Sequence, residues 1–251
     1  MFLTIKALVL RVSVYNDSDA LLTLLTHEHG KITVKARGLR RKNSPLAASC
    51  QLLAYSEFTI FEYRGYYTIN EAHSVELFHN LRKDLQKLSL GTYFVQVAEV
   101  LSQEDTPTPD LLSLALNSLY ALTYLSLDEN LVKAVFEFRC ACYSGYAPDL
   151  NGCVHCGNSV PDRFNLSDGC LECSACRDAS SSGIRMPVTP GALDALRYIS
   201  ICDKQKLFSF QLSKDTISCL SQIAESYLQT QLERGFSALD FYKSLFINNG
   251  V

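Results

Sequence analysis

The sequence predicts an α+β multidomain protein, with an all-β N-terminal part followed by an α-helical part that carries a cysteine-bearing insertion. Three observations carry that prediction. Apolar and polar residues alternate as far as about Val75, the two-residue period of strands with one buried face. From Leu77 onward, apolar residues recur at three- and four-residue steps, the period of helices. Near residue 150 the composition shifts to Cys, Gly, Ser and Asp, and two Cys-x-x-Cys pairs appear. The 251 residues, 47% hydrophobic and 20% charged, are ordinary for a folded soluble protein, and a wholly disordered chain is excluded.

Strands are expected at about 2–13, 20–27, 30–37, 51–63 and 66–75, each a short alternating run. The breaks carry turn chemistry at Asn16-Asp17-Ser18-Asp19, His29-Gly30, Asn43-Ser44-Pro45 and Arg64-Gly65. Five strands in about 75 residues suit a small closed barrel of the oligonucleotide-binding (OB) type, so residues 1–78 are read as an OB-fold DNA-binding barrel. The N-terminus reads as a strand, since its alternation and charges lack the apolar core of a signal peptide.

Helical spacing begins with Leu81, Leu85 and Leu88 and continues through Tyr93, Val97, Val100 and Leu101. Helices are expected at about 110–126 and 129–144, the second ending at Gly145 with Pro148 after it. The apolar stretch Leu111–Leu127 is too polar and short for a membrane span and reads as a buried helix. Helical periodicity resumes at about 190–200 and again from an N-cap at Ser213 through Leu232. Residues 79–251 thus form an α-helical domain with an insertion at about 150–186.

That insertion is too poor in large apolar side chains to bury a core without help. Cys153-x-x-Cys156 and Cys173-x-x-Cys176 are separated by 16 residues, inside the window that marks a four-thiolate zinc site. Two residues between thiols let a tight turn aim both sulfurs at one ion, and Gly157 supplies backbone freedom after the first turn. Four protein ligands close the site, so a structural ion is expected. Two disulfides, a chance clustering, or replacement of a ligand by His155 or Cys170 remain alternatives. Cys50, Cys140, Cys142, Cys202 and Cys219 lie in apolar or helical surroundings and read as small core residues. The His27-Glu28-His29 run reads as a solvated turn. Without a secretion signal, the ten cysteines point to a reducing cytoplasm.

Net charge is −3 for the chain, but residues 1–80 hold nine Lys/Arg against seven Asp/Glu. Lys31, Lys35, Arg37, Arg40, Arg41 and Lys42 fall within twelve residues that contain no acid. Six cations together repel one another, and a phosphate backbone relieves that repulsion. These six are the expected DNA-binding residues, with Lys31, Lys35 and Arg37 sharing a strand face; a bland solvated surface is the alternative. Tyr63, Tyr66 or Tyr67 could stack on unpaired bases.

Ala7-Leu8-Val9-Leu10, Asp19 through Thr26, Gly30-Lys31 and Ala36 through Arg41 together resemble the N-terminal signature of the RecO family of bacterial recombination mediators. Phe138-Arg139, Gly145 through Leu150, Cys153, Cys156-Gly157, Phe164 through Gly169 and Cys173 resemble its helix end and zinc knuckles. Leu232-Glu233-Arg234 and Ser237 through Phe241 extend the likeness over nearly the whole chain. One departure is Cys170, which stands where a second glycine is usual before the third ligand. The resemblance implies binding of single- and double-stranded DNA, strand annealing without nucleotide hydrolysis, and hence no enzyme activity. It also implies RecR and the C-terminal tail of single-stranded-DNA-binding protein as partners, loading of RecA, and a cytoplasmic, nucleoid-associated location with no membrane partner.

Two other functions compete. A metal-dependent enzyme acting on nucleic acid is disfavoured because no phosphate-binding glycine loop and no clustered carboxylates for magnesium occur. A zinc-ribbon transcription regulator is disfavoured because no helix rich in Arg, Asn and Gln is evident.

Overall fold

A computed structural model describes residues 1–176 and 183–247. In chain order its strands are β1 (Phe2–Val14), β2 (Ala20–Thr26), β3 (Lys31–Ala36), β4 (Tyr55–Tyr63), β5 (Tyr66–Glu76), β6 (Asp149–Cys153), β7 (Arg163–Asn165), β8 (Cys170–Glu172) and β9 (Arg185–Pro187). Its helices are α1 (Leu85–Leu101), α2 (Pro109–Tyr124), α3 (Glu129–Tyr143), α4 (Pro190–Ile201), α5 (Lys214–Leu232) and α6 (Ser237–Ile247). Two compact units result, Met1–Leu125 with Phe236–Val251, and Ser126–Gly235. Of the expected zinc insertion and helical domain, residues 177–182 and 248–251 lie outside the described residues.

In the first unit, β1 to β5 close a barrel in the order β1-β2-β3-β5-β4, as the alternation predicts. The closing pair β3–β5 is parallel and short, Val34 opposite Tyr67 and Lys35 opposite Thr68. Ile5, Ala7, Val9, Leu22, Leu24, Val34, Phe58 and Ile60 point inward and form the barrel core. The fourth strand begins at Tyr55 and not at 51. Residues 37–54 are turns, Leu53 takes a positive φ of 68°, and its N–H donates to the Val9 carbonyl at 3.0 Å. Val9 donates in turn to Ala54 at 2.9 Å, beside a register shift in β1 between Val9 and Arg11. Leu46, Cys50 and Ala54 enter the barrel core, so this segment packs on the barrel interior and does not lengthen a strand.

The outer faces of β1 and β2 are covered as well. Leu8, Thr23 and Leu25 lie outside the interior cluster yet are buried, and α1 and α2 pack on this side. Arg11 pairs with Glu99 of α1 at 2.9 Å, and the Lys31 ammonium donates to the Glu99 carbonyl at 2.9 Å. Residues 103–106 cross beside Gly30, close enough that a Cβ there would collide with the Thr106 carbonyl. The expected helices at 110–126, 129–144, 190–200 and 213–232 appear within two residues of their ends, and Ser213 caps α5 by accepting from Thr216 N–H. Helix α6 has no counterpart in the sequence reading. It packs on α1, with Phe236 edge-on to Tyr93 at 5.4 Å and the Ala238 N–H bonded to Gln96.

In the second unit, α3 packs on α5 through apolar residues around a buried ionic cluster. Lys133 of α3 donates to Glu137 at 3.0 Å and to Glu225 of α5 at 2.7 Å. Arg139 donates to the Ile199, Ser200 and Cys202 carbonyls, which satisfies the end of α4. The cysteine segment is not structureless: β6-β8-β7-β9 form a small sheet in which Phe164 and Leu171 are fully buried. Among the described residues no helix is long and apolar enough to cross a membrane.

Candidate nucleic-acid interface and metal centre

The basic run divides into cations tied to the protein and cations facing outward. Lys31 is spent on α1, as above. Lys35 pairs with Asp19 at 3.1 Å and lies over the Tyr15 ring at 4.5 Å. Arg40 donates to the Asn16 carbonyl at 2.6 Å and, through its backbone, to Ser18. Arg37 and Arg41 instead line an open groove of about 680 Å³ with Phe2, Phe61, Asn43 and Asn70, and neither has a carboxylate partner among the described residues. Lys42 is exposed. Arg37 follows the last residue of β3, so only Lys31 and Lys35 share that strand's outer face.

Asp19 is the residue that sequence reasoning missed. Its carboxylate accepts from Gly38 N–H at 2.9 Å, from Lys35, from Asn16 and from Ser18, which staples the β1–β2 turn to the basic loop. The Gly38 N–H and the Lys35 ammonium beside it hold its carboxyl well below the usual carboxylate range. The pattern Asn16-x-Ser18-Asp19 signals a turn, but nothing in it names a partner 19 residues away.

The aromatic expectations also separate. Tyr63 and Tyr66 are exposed at the β4–β5 turn, whereas Tyr67 packs against the barrel core and burial raises its pKa. Phe2 and Phe61 sit opposite each other across the β1–β4 ladder, with ring centroids 5.3 Å apart.

Cys153, Cys156, Cys173 and Cys176 converge, their sulfurs all within 4.8 Å of one another. β6 and β8 are neighbours and parallel, so the two knuckles leave the same end of the sheet. In the first knuckle Gly157, at φ 73°, donates to the Cys153 carbonyl at 2.8 Å. In the second, Cys176 donates to the Cys173 carbonyl at 3.0 Å. Burial works against a thiolate at Cys153, but backbone N–H groups of Cys156, His155 and Cys173 outweigh it and bring the pKa down to about 6. The departure at Cys170 is accommodated because Gly169 alone takes the left-handed conformation and Cys170 opens β8.

This donor set fits a metal ion. A tetrahedron with Zn–S bonds of about 2.3 Å puts its sulfurs about 3.8 Å apart, and Cys156 and Cys173 already lie 3.9 Å apart. All ten cysteines are free thiols, so neither knuckle is a disulfide. His155 is exposed and outside the group. Cys170 belongs to a separate cluster with Asp168 and Glu172, where Asn165 bridges both acids and Arg185 pairs with Glu172. Burial and those two carboxylates push the Cys170 thiol up to about 11. Of the remaining cysteines, Cys50, Cys140 and Cys202 are buried, while Cys142 and Cys219 are half-buried.

The family model described as recombination protein O, N terminal, matches residues 1–78, and that described as recombination protein O, C terminal, matches residues 82–240. The chain is 32% identical over 246 residues to a DNA repair protein RecO of Acetivibrio thermocellus, covering 97% of each chain. It is 29% identical to one of Alkaliphilus metalliredigens, over 98% of this chain and all of that one. A third, of Caldicellulosiruptor saccharolyticus, is 28% identical over 96% and 98% of the two chains. With both family halves matched in order around the barrel and the four-thiol centre, the chain belongs to the recombination protein O family.

Proposed function

We propose that this protein is a non-catalytic DNA-binding mediator of recombinational repair, which binds single- and double-stranded DNA and promotes strand annealing. The barrel at 1–78 is the DNA-binding module, and residues 79–251 are a helical domain that carries the zinc insertion. The observation that carries this reading is the groove that Arg37 and Arg41, without carboxylate partners among the described residues, line together with an exposed aromatic pair. Uncompensated arginines attract phosphate, and arginine forks match its geometry. Lys42 extends this surface, Lys35 and Arg40 fasten the loop that presents it to the β1–β2 turn, and Lys31 ties β3 to α1. The names of the similar proteins, DNA repair protein RecO, support the same assignment.

The metal is zinc, one structural ion held by Cys153, Cys156, Cys173 and Cys176. Four thiolates select zinc over harder cations and leave no open coordination position for a substrate. The partners that fit this role are RecR, the C-terminal tail of single-stranded-DNA-binding protein, and RecA, which the protein would load on coated DNA. Its place is the cytoplasm, at the nucleoid.

Annealing of two complementary oligonucleotides, each coated with single-stranded-DNA-binding protein, tests this. The protein should accelerate annealing without nucleotide or divalent metal and leave both strands intact. No acceleration, or metal-dependent strand cleavage, overturns the reading.

A further inference from the structure

OB-type barrels generally bind oligonucleotides over the face of strands 2 and 3. Here one end of that face is occupied, while Thr33 of β3 stays exposed. Thr23 and Leu25 of β2 are buried, Lys31 of β3 is bonded to the end of α1, and the 103–106 segment closes on Gly30. The face that remains open is formed by the start of β1 with β4 and β5. Inward residues of β4 are Ser56, Phe58 and Ile60, so Phe61 and Tyr63 both point outward. Phe61 lies opposite Phe2 on β1 and opposite Thr68 on β5, and Tyr63 lies opposite Tyr66. Phe2, Phe61, Tyr63 and Tyr66 are 62%, 40%, 58% and 79% exposed.

Four exposed aromatic rings on one face form a patch, not scattered surface residues. Cations border two of its sides. Arg37 and Arg41 line one groove with Phe2 and Phe61, and the Arg64 guanidinium lies over the Tyr63 ring at 5.2 Å, while exposed Glu71, opposite Thr59, continues the face away from the turn. Flat apolar planes bordered by arginines match a strand whose bases are free to stack and whose phosphates carry the charge. Duplex bases are already stacked on one another and cannot use the rings.

Resting on the DNA-binding reading above, we propose that single-stranded DNA runs over the β1–β4–β5 face, its bases stacked on Phe61, Tyr63 and Tyr66 and its phosphates held by Arg37 and Arg41. The β4–β5 turn is the end of this track. Neither tip tyrosine enters the barrel core, so both can be changed without unfolding it.

The test compares affinities of the full chain for an oligothymidylate and for an abasic oligonucleotide of equal length, which keeps the phosphates and removes the bases. Tyr63→Ala with Tyr66→Ala should weaken oligothymidylate binding by about tenfold or more and leave abasic binding unchanged. Tyr63→Phe with Tyr66→Phe should stay within about twofold of the native protein, because the ring is kept. Arg37→Ala with Arg41→Ala should weaken both probes. If the alanine tyrosine variant binds both probes like the native protein while the arginine variant weakens both, the stacking track falls and the phosphate reading stands. An equal loss on both probes from the tyrosine variant also overturns it. Failure of the native protein to bind either probe removes the DNA-binding reading itself.

Discussion

Of the three cations of the basic run that are tied to the protein, only Lys35 is held by charge pairing, with Asp19. Lys31 and Arg40 end on backbone carbonyls of Glu99 and Asn16, groups that every residue carries and that leave no mark in a sequence. The run as a whole was legible, since six cations without an acid stand out at once. Its division was not. Asp19 shows the same limit, because its role depends on the Gly38 N–H being brought beside it by the β2–β3 pairing. Its carboxyl is held below the unfolded value, so the folded state binds that proton more weakly than the unfolded chain does. The stabilisation is therefore whole above about pH 4 and is lost as pH falls through the lowered value. Asp19→Asn should accordingly be less stable than the native protein at neutral pH, with the difference shrinking below about pH 4. Denaturant melts of both proteins from pH 7 downward check this, and a difference independent of pH would contradict it.

At the scale of elements, the strands and the two cysteine knuckles were readable because their signals are local. Alternation needs four to eight residues, and Cys-x-x-Cys needs four. The 37–54 segment misled only at its end, where apolar Leu52, Leu53 and Ala54 look like more strand but leave the ladder at the β1 bulge, Ala54 entering the barrel core and Leu53 packing beside Gly91 of α1. α6 was missed because it is only 11 residues long and its anchors are Tyr93 and Gln96, far back in α1. The four-thiol element is fastened to its unit at points equally remote in sequence. Arg197 of α4 donates to the Leu150 and Ser159 carbonyls, Gln231 of α5 to Leu166, and Tyr227 sits edge-on to Phe164 at 5.1 Å. An element so attached should transmit loss of its metal to the helices. We expect one zinc per chain by elemental analysis, and a chelator should lower the melting temperature of the native protein but hardly that of Cys173→Ser, which should already melt early. A chelated native protein that keeps its melting temperature would contradict a structural zinc.

At the scale of the whole molecule, the described residues place a closed barrel and a four-thiol sheet in separate compact units of one recombination protein O chain. The residues proposed to meet DNA belong to the first unit, where α1 and α2 pack on one side of the barrel and the arginine groove stays open. Fold class was legible because periodicity and cysteine spacing are properties of short windows. The open face was not, because it depends on which strands the helices cover.

The most direct test of this account is the salt dependence of single-stranded DNA affinity for the native protein, Arg37→Ala with Arg41→Ala, and Lys31→Ala. Each phosphate contact contributes about −0.7 to the log–log slope. The account predicts a slope flattened by about 1.4 in the arginine variant, from two lost contacts, and unchanged in Lys31→Ala, whose loss should appear as lower stability instead. An arginine variant with the native slope, or a Lys31→Ala protein with a flattened one, would contradict it and move the DNA to the other face of the barrel.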